Sequence, residues 1–184
     1  MNLHSLRILA LLFISAAAAL AQTSTADPLA PPHGVESAIG PRPDGTIPDE
    51  VRQELLEAGA WLGQNGDAIY GTRLWKICGE GPTRVQAGHG KDKGTRPYTP
   101  QDFRFTKKGN NLYAIEMAWP TDGRAVIHAL GSTREAKGPK ITDVKLLGSQ
   151  AKLQWHLYEY ALEVRLPNKA PGKYAYALQV ATSN

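Results

Sequence analysis

The spacing of apolar residues changes along the chain and divides it into three parts. Residues 8–20 are almost wholly apolar, residues 51–62 place apolar side chains at helical spacing, and residues 174–181 alternate large and small side chains at every second position. Because an α-helix repeats every 3.6 residues and a β-strand every two, the pattern predicts an apolar leader, one amphipathic helix and a β-rich body.

The helix is predicted over about residues 48–63. Its apolar stripe, spaced i, i+4, i+7 and i+11, consists of Val51, Leu55, Ala58 and Leu62. Thr46 is a candidate N-cap, and Pro48 suits the first helical turn, where the missing N–H of proline costs nothing. Gly63 then predicts the end of the helix.

The rest of the chain contains short segments typical of strands. Besides residues 174–181, the predicted strands are residues 112–119, 124–130, 141–147, 152–156 and 161–166. Clusters of Gly, Pro, Asn and Asp separate them, as turns require. Short strands at this spacing predict an antiparallel β-sandwich.

The N-terminus has the three parts of a secretory signal peptide. A short segment carrying Arg7 precedes the apolar run, and Ala19 and Ala21 supply small residues at a cleavage site. The run is about 13 residues long, shorter than the ~20 of a membrane-spanning helix, although an uncleaved anchor is the alternative. We expect residues 1–21 to be removed, the chain to be exported to the periplasm or the extracellular space without a membrane anchor, and residues 22–38 to form a flexible linker.

Composition adds few constraints. The chain is 42% hydrophobic and 21% charged with a formal net charge of +4, which is ordinary for a globular protein. No basic stretch is concentrated enough to indicate nucleic-acid binding. Cys78 is the sole cysteine, so an intramolecular disulfide is excluded, and its apolar neighbours predict a small core residue.

The residues offer no self-sufficient catalytic centre. The acidic cluster has the spacing of a solvated helix face rather than of a carboxylate pair across a cleft, and consists of Asp49, Glu50, Glu54 and Glu57. The histidines lack the close spacing of a zinc site. Neither a phosphate-binding loop nor a nucleophile elbow is present in the sequence. We therefore predict no catalytic residue, no metal site and no cofactor in this chain.

Several motifs occur in a fixed order after the linker. They are GPRPDGTIP at residues 40–48, NGDAIYGTRLW at 65–75, YTPQDFRFTKKG at 98–109, LYAI at 112–115 and GKYAY at 172–176. In these motifs the chain resembles α-L-fucosidases of glycoside hydrolase family 29, from the end of the catalytic barrel to near the C-terminus. Asp67 and Leu74 stand where the family has Glu and Pro, and Glu116 stands where the family strand is usually apolar.

The resemblance implies a mainly β fold, in which a C-terminal antiparallel β-sandwich is preceded by one helix left from a (β/α)8-like barrel. It implies a barrel-end remnant at residues 39–80 and the sandwich domain at residues 81–184. The family performs retaining exo-hydrolysis of terminal α-L-fucose with an Asp nucleophile and a separate acid/base, whose carboxyl groups must lie roughly 5 Å apart. A barrel takes roughly 250 residues, and the resemblance includes neither stretch that carries these groups.

We therefore interpret the chain as a truncated α-L-fucosidase-like glycoside hydrolase that is not catalytic by itself. The alternative is a secreted, non-catalytic β-sandwich module that binds carbohydrate or a partner subunit. An active small hydrolase is disfavoured because the carboxylate pair is missing. In the full-length family the partner is a fucosylated glycan.

Aromatic side chains and the helix are the remaining candidates for binding. If the chain binds sugar, Tyr70, Arg73 and Trp75 are the first candidates, because they combine aromatic faces with a charged donor. Trp119 and Trp155 are predicted to be core residues. Without a barrel, the helix carrying Val51, Leu55 and Leu62 is expected to mediate self-association, because an exposed apolar stripe favours association.

Overall fold

The structure is a computed structural model that describes residues 45–83, 97–132 and 140–183. The predicted signal peptide at residues 1–21 and linker at residues 22–38 lie outside the described residues. The chain divides into two compact units, residues 1–60 and residues 61–184, and the first is described only from residue 45. Within the described ranges no helix is long and apolar enough to cross a membrane.

One α-helix, α1, spans Asp49–Asn65, two residues beyond its predicted C-terminal end. Its first turn begins with a hydrogen bond from the Arg52 N–H to the Pro48 carbonyl at 2.9 Å, so the proline stands where its missing N–H costs nothing. In the first unit Leu55 and Leu56 are more than half exposed, at 52% and 56%. The predicted apolar stripe is therefore only partly buried.

Eight strands follow in the described residues. They are β1 (Arg73–Glu80), β2 (Phe103–Lys108), β3 (Asn111–Glu116), β4 (Arg124–Ile127), β5 (Lys140–Leu146), β6 (Gln154–Leu157), β7 (Leu162–Arg165) and β8 (Tyr176–Ser183). One sheet has the order β1-β2-β3-β8-β5 and the other the order β4-β7-β6, and every pairing is antiparallel. The predicted mainly β, antiparallel sandwich preceded by one helix is confirmed.

The core contains the inward residues of both sheets. In β2 the buried positions alternate, as a strand with one face on a core requires, whereas β3 and β8 are buried at consecutive positions. The cluster includes Phe103, Phe105, Leu112, Ala114, Ile127, Val144, Leu146, Leu162, Val164, Leu178 and Val180. Trp119 and Trp155 pack against this cluster, as predicted.

The last turn of α1 and a short 3-10 helix, Gly66–Ala68, contact the outer face of the larger sheet. The Trp61 indole donates a hydrogen bond to the Ala175 carbonyl at 2.7 Å, and the Thr106 hydroxyl donates one to the Ala68 carbonyl at 2.6 Å. Tyr113 on this face is 2% exposed. The sheet is thus buried on both faces at its centre.

Strand β1 is the main difference from the sequence-based prediction. Residues 73–80, assigned on sequence to the barrel-end segment, form an edge strand of the larger sheet paired with β2. The apolar residues Leu74 and Cys78 lie on the exposed face of this strand and conceal the alternation on which strand prediction depends. Cys78 in this strand is exposed, so its prediction as a core residue is wrong. Trp75 and Ile77 contact the core instead.

Candidate functional site

Asp102, immediately before β2, is a buried carboxylate fully occupied by hydrogen bonds. It accepts from the backbone N–H and hydroxyl of Thr83 at 2.9 and 2.8 Å, and from those of Thr99 at 2.7 and 2.8 Å. Burial raises the pKa of Asp102, but the hydrogen bonds from Thr99 and Thr83 together lower it more, so the pKa lies below its ordinary value of 3.8. This carboxylate joins the two ends of residues 83–99 and has a structural role.

Glu80, at the end of β1, also binds backbone rather than facing a cleft. Its two carboxylate oxygens accept hydrogen bonds from the N–H groups of His128 and Ala129 at 2.8 and 2.6 Å. These N–H groups open the short 3-10 helix His128–Leu130, whose first donors lack partners within the helix. Glu80 therefore connects the edge of the larger sheet to the chain that follows β4.

Glu116, at the end of β3, lies on the core side of the sandwich. Its backbone pairs with Phe103 and Tyr176, and its side chain is 0% exposed. Among the described residues, neither carboxyl oxygen has a hydrogen-bond partner. Burial, with a smaller effect of the Asp122 charge, raises the pKa of Glu116 to about 9. The group is therefore a neutral acid near pH 7, enclosed away from any substrate.

The three residues predicted for sugar binding differ in their surroundings. Tyr70, in the turn before β1, is 60% exposed, and its carbonyl accepts a hydrogen bond from the Lys108 ammonium at 3.2 Å. Arg73 is also exposed and opens β1. The half-buried Trp75 ring meets Phe105 edge-on, with centroids 5.4 Å apart, and packs against the core. Tyr70 and Arg73 thus remain available to a ligand, whereas Trp75 contributes chiefly to packing.

A second aromatic surface was not predicted from the sequence. Four exposed rings follow one another: His156, Tyr158, Tyr160 and His128. The centroid distances along this sequence are 4.3, 5.4 and 6.3 Å, and the two tyrosine rings are stacked at 16°. We call these four side chains the aromatic row. The alternation of rings in HLYEY at residues 156–160 is the sequence signal that could have indicated it.

No group of three or more His, Cys, Asp or Glu side chains in the described parts of the chain could hold a metal ion. Asp102 and Glu80 accept hydrogen bonds from backbone N–H groups, and Glu116 lies buried in the sandwich.

Comparison with known proteins relates the sandwich to α-L-fucosidases. A family profile described as the alpha-L-fucosidase C-terminal domain matches residues 97–181. The plasma alpha-L-fucosidase of Homo sapiens is 33% identical over 146 residues, covering 76% of this chain and 27% of the human protein. The alpha-L-fucosidase of Branchiostoma floridae is 30% identical over 147 residues, covering 77% of this chain and 28% of that protein.

A solved structure agrees with these relatives. Thermotoga maritima alpha-fucosidase, in complex with a mechanism-based inhibitor, matches with a TM-score of 0.56 and 29% identity, covering 78% of this chain and 29% of that chain. The chain spans about a quarter of the length of the curated relatives it matches. The resemblance inferred from the motifs is confirmed for the C-terminal region.

Proposed function

Because residues 97–181 form a C-terminal domain of the α-L-fucosidase family, we propose that this chain serves as the non-catalytic part of an α-L-fucosidase. In this role the sandwich supports a catalytic domain that performs retaining exo-hydrolysis of terminal α-L-fucose on a fucosylated glycan. The observation that carries the proposal is the agreement of sequence and fold, which match α-L-fucosidases over 76% and 78% of this chain.

The environment of the carboxyl groups supports the non-catalytic part of the proposal. Retaining hydrolysis needs two carboxyls about 5 Å apart on either side of a sugar. Asp102 is occupied by four hydrogen bonds, Glu80 by two, and Glu116 is enclosed in the core. None of these three can approach an anomeric carbon without disrupting the sandwich.

Recovery of fucosidase activity with the chain tests the accessory role. A tagged form would be produced in its source cells, isolated, and assayed on an aryl α-L-fucoside. We expect activity to co-purify with the tagged chain from source cells, and to be absent when the same chain is purified from a host without fucosidases. An isolate from source cells that carries the chain but releases no aryl group would contradict the accessory role.

The second candidate is a secreted module that binds carbohydrate or a partner subunit, and α1 favours the partner. Leu55 and Leu56 are exposed, and an apolar pair at a helix surface is a contact site more often than a solvated one. We propose that the helix carrying Val51, Leu55 and Leu62 mediates self-association when no catalytic domain covers it.

Sedimentation of the purified chain tests that association. The wild type should show a concentration-dependent dimer, and a variant with Leu55→Gln and Leu56→Gln should sediment as a monomer, because polar side chains remove the apolar contact. A matched variant, Tyr70→Ala, changes a similarly exposed side chain that does not belong to the helix and should still dimerise. A monomeric wild type would rule out self-association.

Two further assignments complete the proposal. Residues 1–21 act as an export signal, and the purified mature chain is expected to begin at Gln22, which N-terminal sequencing would detect.

Tyr70 and Arg73, with Trp75 behind them, form a weak sugar contact. The exposure of Tyr70 and Arg73 supports this contact, and the packing of Trp75 against the core limits it.

A further inference from the structure

The aromatic row differs from the other aromatic clusters of the sandwich in its exposure. Phe103, Phe105 and Tyr176 lie in the core, and Trp119 packs on Tyr176 with centroids 4.7 Å apart. Tyr158 and Tyr160, in contrast, are 38% and 59% exposed although their rings stack on each other. Ring stacking at the surface presents a continuous apolar strip whose edges carry polar atoms.

Backbone hydrogen bonds fix the position of the row. The turn between β6 and β7 is closed by the Tyr158 N–H donating to the Ala161 carbonyl at 2.8 Å. The Ser132 N–H donates to the Tyr158 carbonyl at 3.0 Å, and His128 Nδ1 lies 3.3 Å from the Tyr160 carbonyl, where a protonated nitrogen donates. The rings are therefore held before any ligand arrives, which lowers the entropy cost of binding.

A close approach between two backbone segments holds the segment that carries His128 against the turn between β6 and β7. A Cβ at Gly131 would lie 2.5 Å from the Glu159 carbonyl oxygen and 2.6 Å from the Tyr160 carbonyl carbon. Only a residue without a side chain allows this contact. Together with Glu80, which accepts from the His128 N–H, Gly131 brings His128 beside the turn that carries both tyrosines.

The chemistry of the row indicates its ligand. Tyrosine offers a large, rigid, amphipathic contact area at low entropic cost, and its hydroxyl and the histidine nitrogens exchange hydrogen bonds with alcohols. Glu159, exposed between the two tyrosines, places a negative charge near the row, which disfavours phosphate and other anionic ligands. Apolar C–H faces beside several hydroxyls, without negative charge, are the properties of a neutral sugar ring.

We propose that the aromatic row binds a pyranose ring of a neutral glycan, stacked on Tyr158 and Tyr160. This assignment goes beyond the accessory role proposed above, because it gives the sandwich its own ligand. The contact lies on the turn between β6 and β7 and is separate from the weak contact proposed at Tyr70 and Arg73.

Ligand-observed NMR with the full chain tests the assignment, using methyl α-L-fucopyranoside and methyl β-D-galactopyranoside as probes. A single ring on an open surface should bind in the millimolar range. Tyr160→Ala should weaken binding at least about fivefold, because it removes one stacking partner. Leu74→Ala is the control, since Leu74 is an apolar side chain that is 64% exposed and lies outside the row, and it should leave affinity unchanged.

A second readout needs no truncated side chain. On the wild-type chain the probes should shift the ring C–H signals of Tyr158, Tyr160, His128 and His156 more than those of any other ring. Tyr158→Phe and Tyr160→Phe keep the rings and should retain binding within about twofold if stacking dominates.

Three results would overturn the assignment. The first is the absence of saturable binding by either probe, and the second is a loss of affinity in Tyr70→Ala but not in Tyr160→Ala. The third is a change of the ring signals of the aromatic row with protein concentration but not with sugar, which would indicate a protein contact. None of these bears on co-purifying fucosidase activity, so the two proposals fail separately.

Discussion

Asp102 and Glu116 are both buried carboxyls, yet burial has opposite outcomes for them. Four donors surround Asp102, so the charged form is retained and its pKa falls. No donor among the described residues reaches Glu116, so the neutral form is retained and its pKa rises to about 9. The sequence showed that Glu116 occupies an apolar strand position, but the hydrogen bonds of Asp102 depend on Thr83, 19 residues away, and could not be read from spacing.

Glu116→Gln should remove a pH dependence of stability. Since the folded pKa of about 9 exceeds the ordinary 4.5, the folded state holds a proton that the unfolded state releases, and stability falls as pH rises between these values. The slope for one such group is about 1.4 kcal/mol per pH unit. Urea unfolding from pH 4 to 9 should show this fall in the wild type and a flatter profile in Glu116→Gln.

The exposed carboxyl of Asp67 provides the control for that series. Asp67→Asn removes an exposed charge and should keep the wild-type slope. Parallel profiles for wild type and Glu116→Gln would show that Glu116 is paired or hydrated in solution.

Asp102→Asn should destabilise the sandwich. The amide keeps one acceptor oxygen and places an NH2 group against donors, so we expect a loss of roughly 2–4 kcal/mol at pH 7. Because the folded pKa lies below 3.8, the stabilisation is present above that pH and is lost as pH falls through the folded pKa. The stability that ionised Asp102 contributes should therefore be missing from the acid-unfolding profile of Asp102→Asn. Equal urea midpoints for the wild type and Asp102→Asn at pH 7 would contradict a structural role of Asp102.

At the scale of elements, the sequence predicted six of the eight described strands and missed β1 and β2. Strands β3 to β8 overlap predicted segments, because each of these strands places one of its faces on the core. The helix was predicted within two residues of its observed end, since its apolar spacing is local, but its first carbonyl acceptor is Pro48, so the prediction of Thr46 as N-cap is wrong. β1 was missed because apolar Leu74 and Cys78 on its exposed face conceal the alternation, and β2 because it is short and apolar only at Phe103 and Phe105. The aromatic row was missed because a turn and a 3-10 helix meet only in the fold.

Two glycine substitutions should have opposite effects on stability. Gly131→Ala drives a methyl group into the turn between β6 and β7 and should destabilise by about 1–3 kcal/mol. Gly59→Ala, in α1, meets nothing within 4 Å and should stabilise the helix by about 0.5–1 kcal/mol. Thermal unfolding of both variants measures the difference, and an unchanged midpoint in Gly131→Ala would mean that the turn gives way easily.

At the scale of the whole molecule, the chain combines a family sandwich with a helix that exposes leucines. The sandwich has a core of its own from both sheets, so its fold does not depend on a neighbouring domain for its apolar interior. The family and fold followed from the motifs because these are contiguous in sequence. The domain boundary at residues 80 and 81 and the sugar contact at Tyr70 remain predictions.

The most direct measurement is the hydrolysis of 4-nitrophenyl α-L-fucoside by the chain alone, purified from a host without fucosidases. We expect release at the rate of buffer, because Asp102 and Glu80 are hydrogen-bonded to backbone N–H groups and Glu116 is enclosed in the core. A blank purification from the same host measures contaminating activity. Turnover above that blank, retained through purification and abolished by substituting a carboxyl of this chain, would contradict the non-catalytic role.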